Sequence, residues 1–231
     1  MLDERWSAEV EEVAAALRRM LDVESSTQRV RAAEKDHRGQ DPELERHLRA
    51  FGLDELEGDA ELFARIAFEL GRALASTPLV DTLPMLALTG RPGVALAFSR
   101  PVPVGVTQVV VRRDDGVYLE ALQGRPRLTT AGDALVDHIA GGPGERLGDL
   151  ALADRLDRYA ALTESARLVG AGQALLRLGT GYANERRQFG KTIGAYQGVA
   201  HRLADAAARL DAAELLVRKA AFTAQPDAGG D

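Results

Sequence analysis

Tyr182-Ala183-Asn184-Glu185-Arg186-Arg187-Gln188-Phe189-Gly190-Lys191-Thr192-Ile193-Gly194-Ala195-Tyr196-Gln197-Gly198-Val199-Ala200-His201-Arg202-Leu203-Ala204-Asp205 is the stretch that decides the fold. It reads as the end of one long helix, a tight corner and the start of another. Tyr182 to Glu185 close the first helix. Arg186 and Arg187 are expected in its last turn, where cations meet the negative end of the helix dipole. Gly190 is expected to follow as a C′ residue with positive φ. The second helix is expected to reach about Phe222, with Val199, Leu203, Ala206, Leu210, Ala213, Val217 and Ala220 on one seam. Steps alternating four and three are those of a packed helix pair or bundle.

Upstream, the spacing predicts one long helix over about Leu150–Glu185, with Leu156, Tyr159, Thr163, Ala166, Val169, Leu176 and Leu178 near one side. Gly170, Gly172, Gly179 and Gly181 interrupt it, and each interior glycine costs about 1 kcal/mol relative to alanine. Two readings stay open for them: close helix packing, or room for a flat ligand. The first 90 residues read as a helical module. Ser7 can cap a helix to about Val23, Asp41-Pro42-Glu43 is a helix start, and Asp59 can cap a third helix. In that third helix Leu62, Ile66, Leu70 and Leu74 face inward and Gly71 allows close approach. The polar stretch Glu24 to Gln40 is expected to be partly helical, and Leu79 to Leu88 a short helix after Pro78.

The texture changes after Gly90. Val94 to Phe98 is an apolar run of strand length. Thr107 to Arg113 and Val117 to Leu122 flank Asp114-Asp115-Gly116, a hairpin signal. Leu128 to Ile139 can add weaker strands, and Gly141 to Gly144 marks a loop. The fold class is therefore mainly α: an N-terminal helical domain (1–90), a short central β domain (91–148) and a C-terminal helical bundle (149–231). Gln225 to Asp231 reads as a flexible tail.

Composition narrows the function. The 231 residues are 45% hydrophobic and 28% charged, enough for a sizeable core. There is no cysteine, hence no disulfide framework, thiolate nucleophile or zinc–thiolate cluster. The net charge of −6 argues against general nucleic-acid binding. No apolar run approaches the roughly 20 residues of a membrane helix, and the charged N-terminus lacks a signal-peptide core. A soluble cytoplasmic protein is the default expectation. His37, His47, His138 and His201 are scattered without metal-ligand spacing, so no metal site is expected.

Two arginines at a helix end followed by glycine are also ordinary stop chemistry. The full string says more. Arg186-Arg187-Gln188-Phe189-Gly190-Lys191, then Ile193-Gly194, Tyr196-Gln197 and His201-Arg202-Leu203-Ala204-Asp205, resembles the C-terminal helical signature of acyl-CoA dehydrogenases. The order helical, β, helical is similar to that family's three-part plan. The resemblance implies FAD as cofactor and an acyl-CoA thioester as substrate. It implies that Arg186, Gln188, Phe189 and Gln197 contact the adenosine diphosphate part of an FAD bound mainly by a neighbouring subunit, with Tyr196 nearby. An arginine fork suits a pyrophosphate because it offers paired donors and a permanent charge. Departures are also visible. The β part is short, Phe98-Ser99-Arg100-Pro101 stands where the family has Thr-Glu-Pro, and the family's strand tryptophan is missing because the one tryptophan is Trp6. The family has further C-terminal helices, so either another chain supplies them or this sequence is incomplete.

The family reaction removes a proton α to the thioester and a hydride from the β carbon, so a carboxylate base is required. Counting back from Phe189, one position the family uses falls near Ala160, which cannot act. Glu164, one turn on, is the candidate, and its plain alternative is a solvated glutamate. Glu69-Leu70-Gly71-Arg72-Ala73-Leu74-Ala75-Ser76-Thr77-Pro78 resembles a helix of the small subunits that pair with a complete flavin-binding subunit on steroid side chains and other bulky acyl-CoA esters. Three readings follow: a reduced subunit of a hetero-oligomeric acyl-CoA dehydrogenase, a self-sufficient homo-oligomer using Glu164, or a non-redox acyl-CoA binder or scaffold.

Overall fold

A computed structural model describes residues 5–35, 40–98, 101–128, 134–139 and 141–224. Five helices come first: α1 (Ala8–Glu24), α2 (Thr27–Lys35), α3 (Pro42–Ala50), α4 (Ala60–Arg72) and α5 (Leu79–Thr89). Local chemistry sets their starts. Ser7 accepts from the Val10 N–H, Asp41 from Glu43 and Leu44, and Asp59 from Leu62. Each cap satisfies an otherwise orphaned helix donor.

Seven strands follow: β1 (Val94–Leu96), β2 (Val102–Pro103), β3 (Gln108–Arg113), β4 (Gly116–Ala121), β5 (Pro126–Leu128), β6 (Ala134–Val136) and β7 (Glu145–Gly148). One sheet runs β1-β3-β4-β7, with β1 parallel to β3 and the remaining pairs antiparallel. A second runs β2-β6-β5. The strands β2 and β7 were not expected. β2 is two residues carrying a proline and β7 reads Glu-Arg-Leu-Gly, so neither shows a half-buried alternation. Val109, Val110 and Val111 are all buried because β3 is covered on both faces. Val110 packs with Met85 and Leu156, while Val109 and Val111 face Val102 and Val106.

The C-terminal part is α6 (Leu150–Glu185), capped by Asp149, then two short strands β8 (Arg187–Gln188) and β9 (Lys191–Thr192), and α7 (Gln197–Thr223). The main core joins α1, α3, α4 and α5 to Tyr159, Leu162, Ala166 and Val169 of α6 and Val217 and Ala221 of α7. The expected seam of α7 is displaced at its end: Ala221 is buried and Ala220 exposed. Leu178 is exposed rather than on the buried side of α6. Gln225 to Asp231, Ser99, Arg100 and His37 lie outside the described residues.

Close packing accounts for the two glycines of α6 nearest the core. A Cβ at Gly170 would collide with the Phe68 carbonyl oxygen, and one at Gly71 with that of Arg167. Helices α4 and α6 therefore meet backbone against backbone. Gly172 receives the Leu210 side chain of α7, whereas a Cβ at Gly181 would meet nothing.

A buried carboxylate ties α1 to α4. Glu69 is 0% exposed and is held by Arg18 (2.6 Å), Arg72 (2.6 Å) and Arg65 (2.7 Å). Burial pushes the Glu69 carboxyl up, but the hydrogen bonds from Arg18 and Arg72, with the nearby Arg65 charge, outweigh it and leave it below the usual carboxylate range.

Gly170→Ala is expected to lose about 3 kcal/mol through overpacking. Gly181→Ala is expected to gain about 1 kcal/mol through helix propensity, and thermal melts of both variants check the contrast. Glu69→Gln leaves three guanidinium groups without their shared anion and is expected to cost about 3–5 kcal/mol at neutral pH. Because the folded carboxyl has the lower pKa, its contribution is present above the ordinary carboxylate range and fades as pH falls through the folded value. Urea melts should therefore show the gap between wild type and variant closing on acidification.

Candidate functional site

The corner after α6 is built differently from a helix stop. The helix ends at Glu185, and Arg186 is extended (φ −68°, ψ 122°) with its N–H donating to the Tyr182 carbonyl. Arg187 pairs with Thr192 and Gln188 with Lys191 in a two-stranded ribbon. Phe189 and Gly190 form its tip at φ 50° and 82°. Two consecutive positive φ values are the signature of a type I′ hairpin turn. Gly190 thus takes the left-handed conformation, but in a hairpin and not as a C′ cap. Arg186 and Arg187 stand beyond the helix, not in its last turn. The ribbon itself satisfies the backbone groups, and the Ile193 N–H closes it onto the Arg186 carbonyl at 2.8 Å.

The root of the corner is rigid. The Tyr196 hydroxyl donates to the Gln188 carbonyl at 3.0 Å. Lys191 Nζ lies 4.1 Å from the centroid of the same ring and donates to the Ala195 carbonyl at 3.5 Å. Gly194 sits close against the carbonyl of buried Ala183. Lys191 was not among the expected contact residues. Its part in bracing Tyr196 depends on the ribbon, which the helical spacing on either side does not reveal.

The outward face carries the expected groups. Phe189 is 94% exposed at the tip. Arg186 makes no side-chain hydrogen bond or ion pair among the described residues. Arg187 donates to the Gly190 carbonyl at 3.1 Å, and the Gln188 amide donates to the Arg187 carbonyl at 2.7 Å. Gln197 is exposed as the first residue of α7. The structure thus brings Arg186, Gln188, Phe189, Tyr196 and Gln197 to one corner. Free guanidinium donors, amides and an exposed ring suit a diphosphate with an attached planar group.

Glu164 is not part of this constellation. It lies about 30 Å back along α6 at 1.5 Å per residue. Both of its oxygens accept from Arg167, at 2.8 Å and 2.5 Å, and the side chain is half-exposed. Ala160, the position before it on that face, is buried against the sheet. Trp6 sits among the N-terminal helices, 5.3 Å from the Arg218 guanidinium.

Comparison with known proteins agrees with this architecture. The acyl-CoA dehydrogenase C-terminal domain profile matches residues 158–230. Acyl-CoA dehydrogenase IpdE2 of Mycolicibacterium smegmatis is 31% identical over 241 residues, covering 92% of this chain and 75% of the relative. IpdE2 of Mycobacterium tuberculosis is also 31% identical, covering 85% of this chain and 70% of its own. Among solved structures, a Tcur3481–Tcur3483 steroid ACAD variant superposes with TM-score 0.83 at 22% identity, over 94% of this chain and 78% of that one. The ChsE4–ChsE5 complex from Mycobacterium tuberculosis gives TM-score 0.82 at 17% identity, over 98% and 80%. From the corner string, the element order and these matches together, the chain belongs to the acyl-CoA dehydrogenase family.

Proposed function

We propose that this chain is the reduced subunit of a hetero-oligomeric acyl-CoA dehydrogenase that acts on a bulky acyl-CoA thioester. In this reading Arg186, Gln188, Phe189, Tyr196 and Gln197 contact the diphosphate and adenosine of an FAD held mainly by a complete partner subunit. One observation carries it: a phenylalanine 94% exposed at a positive-φ turn tip, on a ribbon whose foot holds Arg186, a guanidinium without a side-chain partner among the described residues. Left-handed backbone at a bulky residue is unfavourable, and such strain clusters at binding sites. A ring held outward on a braced hairpin suits insertion against another molecule.

Two further features support the reading. Leu175, Leu178 and Tyr182 of α6 and Leu215, Leu216 and Phe222 of α7 are exposed large apolar residues. Leu175, Leu178 and Tyr182 recur at helical spacing on one face of α6, an apolar stripe of the kind found at protein interfaces. Two structures of similar fold are named as pairs of proteins, Tcur3481–Tcur3483 and ChsE4–ChsE5, the first a steroid ACAD.

The division of labour follows from the residues. When bound, FAD supplies the hydride acceptor for desaturation of the acyl chain. Arg186 neutralises diphosphate charge, the Gln188 and Gln197 amides orient it, and Phe189 excludes water from its apolar side. Tyr196 and Lys191 hold the ribbon so that these groups arrive together. The α-proton goes to a carboxylate of the partner, because Glu164 is already engaged by Arg167.

The chain purified alone is expected to be colourless. Co-expressed with a complete acyl-CoA dehydrogenase encoded beside it, it should elute in a yellow complex. Stoichiometric FAD and acyl-CoA turnover in the chain alone would overturn the proposal, and a stable colourless complex would favour the scaffold reading.

A further inference from the structure

A second cationic feature lies away from the corner, in a cleft of about 340 Å³ between α1, α4, α6 and α7. Five arginines line it: Arg18, Arg65, Arg72, Arg177 and Arg218. We propose that this cleft binds a small oxyanion of the phosphate or carboxylate type. The inference is independent of the FAD reading.

The charge count comes first. Against five guanidinium groups stand four carboxylates: Glu69 beneath the cleft, Glu11 and Glu214 in its wall, and Asp22 at the end of Arg72. Arg18, Arg65 and Arg72 share Glu69. Arg65 also binds Glu11 at 2.8 Å and Arg72 binds Asp22 at 2.8 Å. Arg218 pairs with Glu214, which also accepts from Gln173 at 2.6 Å. Arg177 is the remaining cation, exposed at the mouth and without an ion pair among the described residues. The cleft therefore carries one excess positive charge.

Its interior is also built for an anion. Arg65 is 5% exposed and its Nη1 is engaged by Glu69 Oε1 at 2.7 Å, so it sets the charge of the floor and does not itself meet a ligand. The guanidinium groups within reach are the more exposed ones, Arg18 and Arg177. The aromatic walls lower the local dielectric: the Arg65 guanidinium lies 4.8 Å from the Phe68 ring centroid and that of Arg218 lies 5.3 Å from Trp6. Charge-assisted donors gain strength in such surroundings. A small oxyanion with several acceptor oxygens can reach donors from α1 and α6 at once. It would thereby tie the N-terminal helices to the C-terminal pair.

The chain carries its own reporter, because Trp6 lines the cleft and is its one tryptophan. Titration of the full chain with inorganic phosphate at constant ionic strength, balanced with chloride, is expected to change Trp6 fluorescence saturably and to raise Tm. A parallel acetate titration assigns the class: whichever anion saturates at the lower concentration is the better mimic of the ligand. Arg177→Gln is expected to leave the phosphate-free Tm unchanged and to weaken the fluorescence response about tenfold, equivalent to about 1.4 kcal/mol. A linear response shared with chloride, or an unaltered midpoint in Arg177→Gln, would overturn the proposal.

Discussion

Helices α4 and α6 touch through their backbones, and the rest of the molecule is arranged by that contact. Gly71 and Gly170 remove the side chains that would otherwise hold the two axes apart. The approach places Phe63, Ile66 and Leu70 against the first half of α6 and buries Tyr159, Leu162 and Ala166 in one core. With its first half fixed, the second half of this 36-residue helix is carried outward. At about 1.5 Å per residue, the corner stands far from the sheet and from the N-terminal helices. The long helix thus carries a cationic hairpin away from the core that fixes its first half.

That geometry divides stability from binding. Groups that hold the fold are buried and paired, as Glu69 is by three arginines. Groups at the corner are braced from behind and open in front. Tyr196 and Lys191 secure the ribbon, while Arg186 and Phe189 contribute no contact that the fold needs. Surface side chains without buried contacts change stability little when removed. The corner is therefore a place where a substitution can separate binding from folding.

Much of this was legible in the residues, for local reasons. Ser7, Asp41 and Asp59 announced helix starts because a cap acts within three residues of itself. The limits of α6 followed from an apolar period maintained over many turns. Asp114-Asp115-Gly116 marked the β3–β4 hairpin because its turn chemistry is local. The ribbon β8–β9 escaped because arginine, arginine and glycine after a helix also spell a simple stop. Two paired residues per strand leave no period to detect. Glycine roles were likewise undecided, since whether Gly170 or Gly181 meets a neighbour depends on where α4 lies. The family of the chain was readable in the corner string. The isolation of Glu164 and its pairing with Arg167 required coordinates.

The central claim is that Arg186 grips the diphosphate of a flavin nucleotide housed by another subunit. The most direct measurement is the FAD dissociation constant of the assembled complex, with wild-type chain and with Arg186→Ala. A hydrogen-bonded charge is worth about 1.5–3 kcal/mol, so the variant should assemble normally, melt at the same temperature without cofactor and bind FAD about 10- to 100-fold more weakly. Equal affinity for FAD in the two complexes would contradict the account.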